Sequence, residues 1–253
     1  MKKIILAFLI LSSVSASAQK ERSISFDNSW RFTKDSVSNA EQVIFDDTKW
    51  RTVDLPHDWS IEDLPNQNIE GHIQGPFTKE AVGKGAVGYM VGGVGWYRKT
   101  FVLDKSYNGK QTYITFDGVY MNAEVWINGH YLGNHPNGYT SFFYNLSAFL
   151  KPVGQSNVIA VRVMNQGKNS RWYSGSGIYR HVWLTKMNEV HTNIWGNYIT
   201  TPIVSENSAR VNVRSEIQNS GSLSKPIDVT VDIINSSGQT ISSKKTIAYY
   251  CCS

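Results

Sequence analysis

Residues 117–165 read DGVYMNAEVWINGHYLGNHPNGYTSFFYNLSAFLKPVGQSNVIAVRVMN, and the fold turns on this stretch. Ala123–Ile127 is a short run of strand formers, and His130–Gly133 answers it across Asn128-Gly129. Asn-Gly is the dipeptide that most readily takes the two positive φ angles of a type I′ turn, so a β-hairpin is expected. A second turn at Asn137-Gly138 leads into the aromatic run Tyr139–Tyr144. The return strand is expected over Asn157–Val163, with Ile159, Val161 and Val163 on one face and Ala160 and Arg162 on the other. That alternation predicts a strand with one dry and one wet face.

Outward from this unit, the pattern stays short and strand-like. Ile24–Phe26 and Trp30–Phe32 flank an Asp27-Asn28 turn, and Arg51–Leu55 ends at Pro56. Trp96–Leu103, Gln111–Phe116 and Arg180–Thr185 complete the first set. Residues 60–95 are rich in Gly and poor in strand pattern; so long a loop in a compact domain is usually functional or mobile. Past Asn188 the texture changes to Val/Ile strands at Ala209–Gln218, Ile227–Asn235 and Thr240–Ile247, separated by Ser/Gly turns. That rhythm is immunoglobulin-like, but a complete sandwich of that kind needs about seven strands and about 100 residues. No amphipathic helix is expected anywhere. The chain reads as all-β: a jelly-roll sandwich over residues 19–188, then an incomplete immunoglobulin-like sandwich over 189–253.

The N-terminus has the grammar of export. Lys2 and Lys3 precede the apolar run Ile4–Leu11, and Ala16-Ser17-Ala18 is a small-residue cleavage site. The run is too short to span a bilayer. Residues 1–18 are therefore expected to be a cleaved signal peptide, leaving a periplasmic or secreted protein with no membrane attachment. The two cysteines, Cys251 and Cys252, are adjacent and offer no disulfide framework. The net charge of +5 is scattered rather than clustered, which argues against a nucleic-acid partner. Eight Trp and thirteen Tyr are the unusual feature: they build cores, and they offer flat faces to the C–H faces of sugar rings.

Several local patterns carry less than they suggest. Gly83–Gly88 fits G-x-G-x-x-G, but a dinucleotide site needs a strand before it and a helix after it, and further glycines follow instead. Ser174-Gly175-Ser176-Gly177 lacks the nucleophile elbow and reads as a tight turn. The six histidines show no metal-ligand spacing, so no metal or other cofactor is expected. Glu62, Asp63 and Glu70 read as solvated loop acids. Asp58 differs, because Trp59 follows it: a carboxylate beside an indole can accept sugar hydroxyls while the ring packs below. The second polar-aromatic cluster runs from Asn169 to Arg180 and includes Arg171, Trp172 and Tyr173, which serve equally well as a plug for the end of the sandwich.

Four ordered segments together resemble glycoside hydrolase family 2, the β-galactosidase family. They are FDDTKWRTVDLPHDW (45–59), GWYRKTF (95–101), FDGVYMNAEVWINGHYLGNHPNGY (116–139) and SRWYSGSGIYRHVWL (170–184). The resemblance implies an N-terminal jelly roll, then an immunoglobulin-like domain, then a (β/α)₈ barrel that carries the two catalytic glutamates of a retaining mechanism. Neither glutamate motif is found in this sequence. The resemblance also implies that loops of the jelly roll close the sugar subsite. Asp58, Trp59, Arg171, Trp172 and Tyr173 are therefore the expected carbohydrate-binding residues. Some members of the family place a sodium-binding acid in the second loop; this sequence has Arg171, Trp172 and Tyr173 there, so no metal is carried over. The expectation is the sugar-contacting portion of a β-galactosidase-type enzyme, inactive alone, whose incomplete second domain is prone to self-association. A free-standing carbohydrate-binding module and a docking domain for other subunits are the alternatives.

Overall fold

The computed structural model describes residues 22–62, 68–69, 72–73, 77–168 and 174–250. The signal-peptide segment, Asp63, Glu70 and the Arg171–Tyr173 cluster lie outside the described residues. The chain is all-β. Its strands are β1 Ser23–Ser25, β2 Trp30–Thr33, β3 Arg51–Val53, β4 Asn68–Ile69, β5 His72–Ile73, β6 Gly93–Val102, β7 Gln111–Phe116, β8 Ala123–Ile127, β9 His130–His135, β10 Phe142–Asn145, β11 Ser156–Asn165, β12 Val182–Met187, β13 Val190–Val204, β14 Ala209–Asn219, β15 Lys225–Ile234 and β16 Thr240–Tyr250. Short 3-10 turns are the helical elements among the described residues. One of them, Lys84–Val87, occupies the glycine-rich motif and stops at Gly88, whose φ of 60° ends the turn. No α-helix starts there, as expected: the motif holds only this 3-10 turn and offers no helix N-terminus to a phosphate.

Two antiparallel sheets face each other. One has the order β1-β12-β7-β10 and the other β3-β2-β6-β11-β8-β9. The β8–β9 hairpin turns at Asn128 (φ 50°) and Gly129 (φ 82°), the two positive angles that a type I′ turn requires. Asn128 also ties the turn to β11: its Oδ1 accepts from Val158 N at 2.9 Å, and its Nδ2 donates to Asn157 Oδ1 at 2.8 Å. The chain crosses between sheets at Asp27, between β1 and β2. Asp27 Oδ1 accepts from Val182 N at 2.8 Å, and Oδ2 accepts from Ser25 Oγ at 2.9 Å.

The core lies between the sheets. Trp30, Phe32, Tyr97, Ile114, Phe116, Val125, Ile127, Ile159, Val161, Val163, Val182 and Leu184 are all buried in one cluster. Each large apolar side chain so buried contributes about 1.5–3 kcal/mol relative to exposure. The expected wet face of β11 is dry at Ala160, while Arg162 stays partly exposed. Ala160 is buried with Trp96 and Ala40, and Val37, Phe45, Trp50 and Trp126 pack against them. The loop over residues 34–50 folds across the outer face of the six-stranded sheet and forms this second core. Arg98 fastens the loop from below: its Nε donates to Asp47 Oδ2 at 2.8 Å, and its Nη1 donates to the carbonyls of both Ala40 and Gln42.

Beyond β12, β13 pairs with β14 and β15 with β16 as two hairpins. Val211, Val213, Val229 and Val231 face one another across an open cleft of about 490 Å³. β14, β15 and β16 lie where the Val/Ile runs predict strands.

Candidate functional site

The end of the sandwich that carries the site is built by two segments from opposite ends of the domain. Residues 57–60 run beside 176–178: His57 N donates to Ile178 O at 2.8 Å, and Trp59 N to Ser176 O at 3.0 Å. Asp58 caps the 3-10 turn Trp59–Ile61 in extended backbone (φ −130°, ψ 107°). Its Oδ1 accepts from Ser60 N at 2.8 Å, as an N-cap aspartate does, and also from Ser176 N at 2.7 Å. One carboxylate oxygen therefore clamps both loops. The other, Oδ2, lies against Gly175, where any Cβ would overlap it. Glycine at 175 is what lets the carboxylate sit this close to the chain.

Hydroxyls and an amide brace the clamp from below. Ser60 Oγ lies 2.5 Å from the Val91 carbonyl and 2.6 Å from Ser176 Oγ. A hydroxyl has one proton, so Ser60 gives its own to Val91 and Ser176 completes the hydroxyl pair. Asn165 Nδ2 donates to Ser176 Oγ at 2.7 Å and to Gly175 O at 3.2 Å. Ser60 and Ser176 are fully buried. A buried network satisfied in this way fixes one arrangement.

The next network orients the start of the same loop. His57 Nδ1 lies 2.6 Å from Tyr97 Oη, and Nε2 lies 2.8 Å from Glu62 Oε1. The Ile178 amide donates to the Tyr97 oxygen, so the Tyr97 hydroxyl gives its proton to Nδ1 and Nε2–H points at Glu62. Burial lowers the His57 pKa below its ordinary value of 6.5, outweighing the pull of Glu62, which agrees with a neutral ring. Partial burial pushes the Glu62 carboxyl up, but hydrogen bonds from Arg51 and His57 outweigh it and hold it below the usual range. Glu62 is an ionised, paired carboxylate and not a free proton donor.

Trp59 is placed differently from the expected sugar-facing ring. It is 2 % exposed, stacks on Phe32 at 5.6 Å, and fills the space above Gly95 that a Cβ would occupy. Its contribution is to hold the Asp58 loop on the core. An aromatic ring exposed near this end, among the described residues, is Tyr139, which was not an expected site residue; it is 66 % exposed. Asn137 Oδ1 accepts from Tyr139 N at 2.8 Å and Thr140 N at 3.1 Å, Tyr179 Oη donates to Gly138 O at 2.8 Å, and Tyr120 meets the Tyr139 ring edge-on at 5.3 Å. Tyr120 in turn pairs with Gly177, so Asp58 and Tyr139 flank the same segment. The Asx turn at Asn137-Gly138 was the legible signal for Tyr139. Among the described residues no group of three or more His, Cys, Asp or Glu is placed to hold a metal ion.

Comparison with known proteins agrees with the geometry. Residues 24–188 match the model of the glycosyl hydrolases family 2 sugar binding domain. The chain is 43% identical over 236 residues to the β-galactosidase BoGH2A of Bacteroides ovatus, covering 93% of this chain and 26% of that protein. It is 31% identical to a β-glucuronidase of Formosa agariphila, covering 88% of this chain and 24% of that protein. Among solved structures, a glycosyl hydrolase family 2 member from Bacteroides cellulosilyticus superposes with a TM-score of 0.82 at 40% identity, over 90% of this chain and 29% of that one. The chain thus spans about a quarter of the length of these curated relatives.

Proposed function

We propose, because the chain belongs to glycosyl hydrolase family 2, that it supplies one wall of the sugar subsite in an exported β-galactosidase-type retaining glycosidase. The observation that carries this reading is the Asp58 clamp. A carboxylate fixed by two backbone amides, with its second oxygen at the surface of the 174–177 segment, is a preorganised acceptor for sugar hydroxyls. Tyr139 adds a flat face beside it, and Arg171, Trp172 and Tyr173 belong to the adjoining loop in sequence. The β-galactosidase among the relatives supports a β-galactoside as the sugar, and the β-glucuronidases among them support a β-glucuronide as the second candidate. Lys2-Lys3, Ile4–Leu11 and Ala16-Ser17-Ala18 support export.

Bond cleavage is assigned to a carboxylate pair on another domain. Retaining glycosidases need two carboxyl groups about 5–5.5 Å apart across the glycosidic bond. Here Asp58 is engaged with backbone amides and Glu62 is paired with Arg51 and His57. The 253-residue polypeptide is therefore expected to show no turnover of a chromogenic β-galactoside. Turnover that disappears in Asp58→Ala or Glu62→Gln would place the chemistry on this chain and overturn the assignment.

A further inference from the structure

The outer face of the four-stranded sheet carries a second constellation that shares no residue with the Asp58 clamp. β13 crosses this face, and its pairing with β14 slips between Thr192 and Asn197. Within that bulge Trp195 takes a left-handed backbone, φ 57°, a conformation costly for a residue with a large side chain. The indole it turns out is 62 % exposed and is held edge-on by Phe143 at 5.2 Å. A surface bulge that spends backbone strain to present an indole, and then braces it, is unlike a core-filling tryptophan.

Trp195 lines a cleft of about 440 Å³, within the usual range for a small-ligand site of about 300–1,000 Å³. Thr115, Asp117 and Trp183 line its sheet side, and Asn193 and Arg22 its rim. Trp183 Nε1 donates to Asp117 Oδ2 at 2.8 Å, which fixes the carboxylate and leaves Oδ1 without a partner among the described residues. The Thr115 hydroxyl and the Asn193 amide are likewise without hydrogen-bond partners among the described residues. Arg22 is half committed, to Met187 Sδ and the Thr192 carbonyl.

The chemistry selects the ligand. One carboxylate and one guanidinium leave the cleft near neutral, so a phosphate or a polyanion gains nothing there. A purely apolar ligand would bury Asp117, Asn193 and Thr115 without partners, which is costly. A neutral sugar satisfies both halves: its C–H face covers an indole, and its hydroxyls both donate and accept. We propose that this cleft is a second carbohydrate site, taking a neutral sugar ring on Trp195 with its hydroxyls on Asp117, Asn193 and Thr115. Such a site would hold a neighbouring stretch of glycan away from the reacting residue.

The test uses the 253-residue chain with ¹⁵N-labelled tryptophan, the Trp195 indole resonance being assigned by Trp195→Phe. Lactose, cellobiose and xylobiose are each titrated to roughly 50 mM, well above the millimolar affinity expected of an open site. At least one of them is expected to shift the Trp195 and Trp183 indole resonances saturably. Trp195→Ala should abolish the shift at Trp183 with an unchanged thermal melt, and Asn193→Ala should weaken binding about threefold or more. No saturable shift from any of the three sugars, or a Trp183 response retained in both Trp195→Ala and Asn193→Ala, would overturn the proposal.

Discussion

Asp58→Ala is expected to lower kcat/KM of the proposed parent glycosidase by roughly 10²-fold, about 3 kcal/mol of transition-state stabilisation. The removed group is a fixed hydrogen-bond acceptor, and a hydroxyl contact near the reacting ring strengthens as charge develops. The clamp complicates a simple deletion, because Ser60 N and Ser176 N lose their acceptor as well. Loss of an N-cap alone costs about 0.5–2 kcal/mol. Asp58→Asn separates the two effects. Its amide oxygen still accepts from both backbone amides, while the negative charge is gone. It should keep the melting temperature of the wild type and still lose most of the kcat/KM. An Asn variant with wild-type kcat/KM would confine Asp58 to a structural role.

The second large effect is on stability. Arg98→Ala is expected to destabilise the sandwich by about 3–5 kcal/mol, the usual consequence of removing one partner of a buried ion pair. Arg98 is 1 % exposed and meets Asp47 together with the carbonyls of Ala40 and Gln42. Without the guanidinium those acceptors face the Trp96 side of the sheet unpaired, and the 34–50 loop loses its fastening. For a domain of this size each kcal/mol lowers Tm by about 2–4 °C, so a drop of about 10 °C is expected by calorimetry. A drop of less than about 2 °C would mean that the apolar packing of Phe45 and Trp50 holds the loop unaided.

Much of the fold is legible in the chain, and the reasons are local. Asn128-Gly129 dictates its own backbone angles, and β8 and β9 follow from it. The alternation of Ile159, Val161 and Val163 gives β11 and its core face. What alternation cannot show is the far side of a strand. Ala160 is dry because a loop from more than a hundred residues upstream covers it, and no periodicity in β11 records that. β13 escaped detection for a related reason. His191, Asn193, Gly196 and Pro202 break its apolar pattern, and two register slips change its phase.

The site divides in the same way. Asp58 is visible as an acid in a Pro-His-Asp-Trp segment, and aspartate is itself one of the ordinary N-cap residues. Its partner Ser176 is 118 residues away and is brought in only by the fold. Trp59 shows the limit of reading residue type alone. Indoles serve sugar sites and cores equally, and it is the absence of a side chain at Gly95 that draws this one inward.

The most direct test of the central claim is a galactose titration of the 253-residue chain, followed through the backbone amide resonance of Ser176. Ser176 N donates to the same Asp58 oxygen that closes the clamp, so a sugar on that carboxylate must perturb it. One wall of a subsite buries little of the ligand, so the expected Kd is millimolar or weaker, about −4 kcal/mol or less favourable. A saturable Ser176 shift that is lost in Asp58→Ala is the expected result. Galactose binding of undiminished strength in Asp58→Ala, with the Ser176 amide unmoved in the wild type, would contradict it.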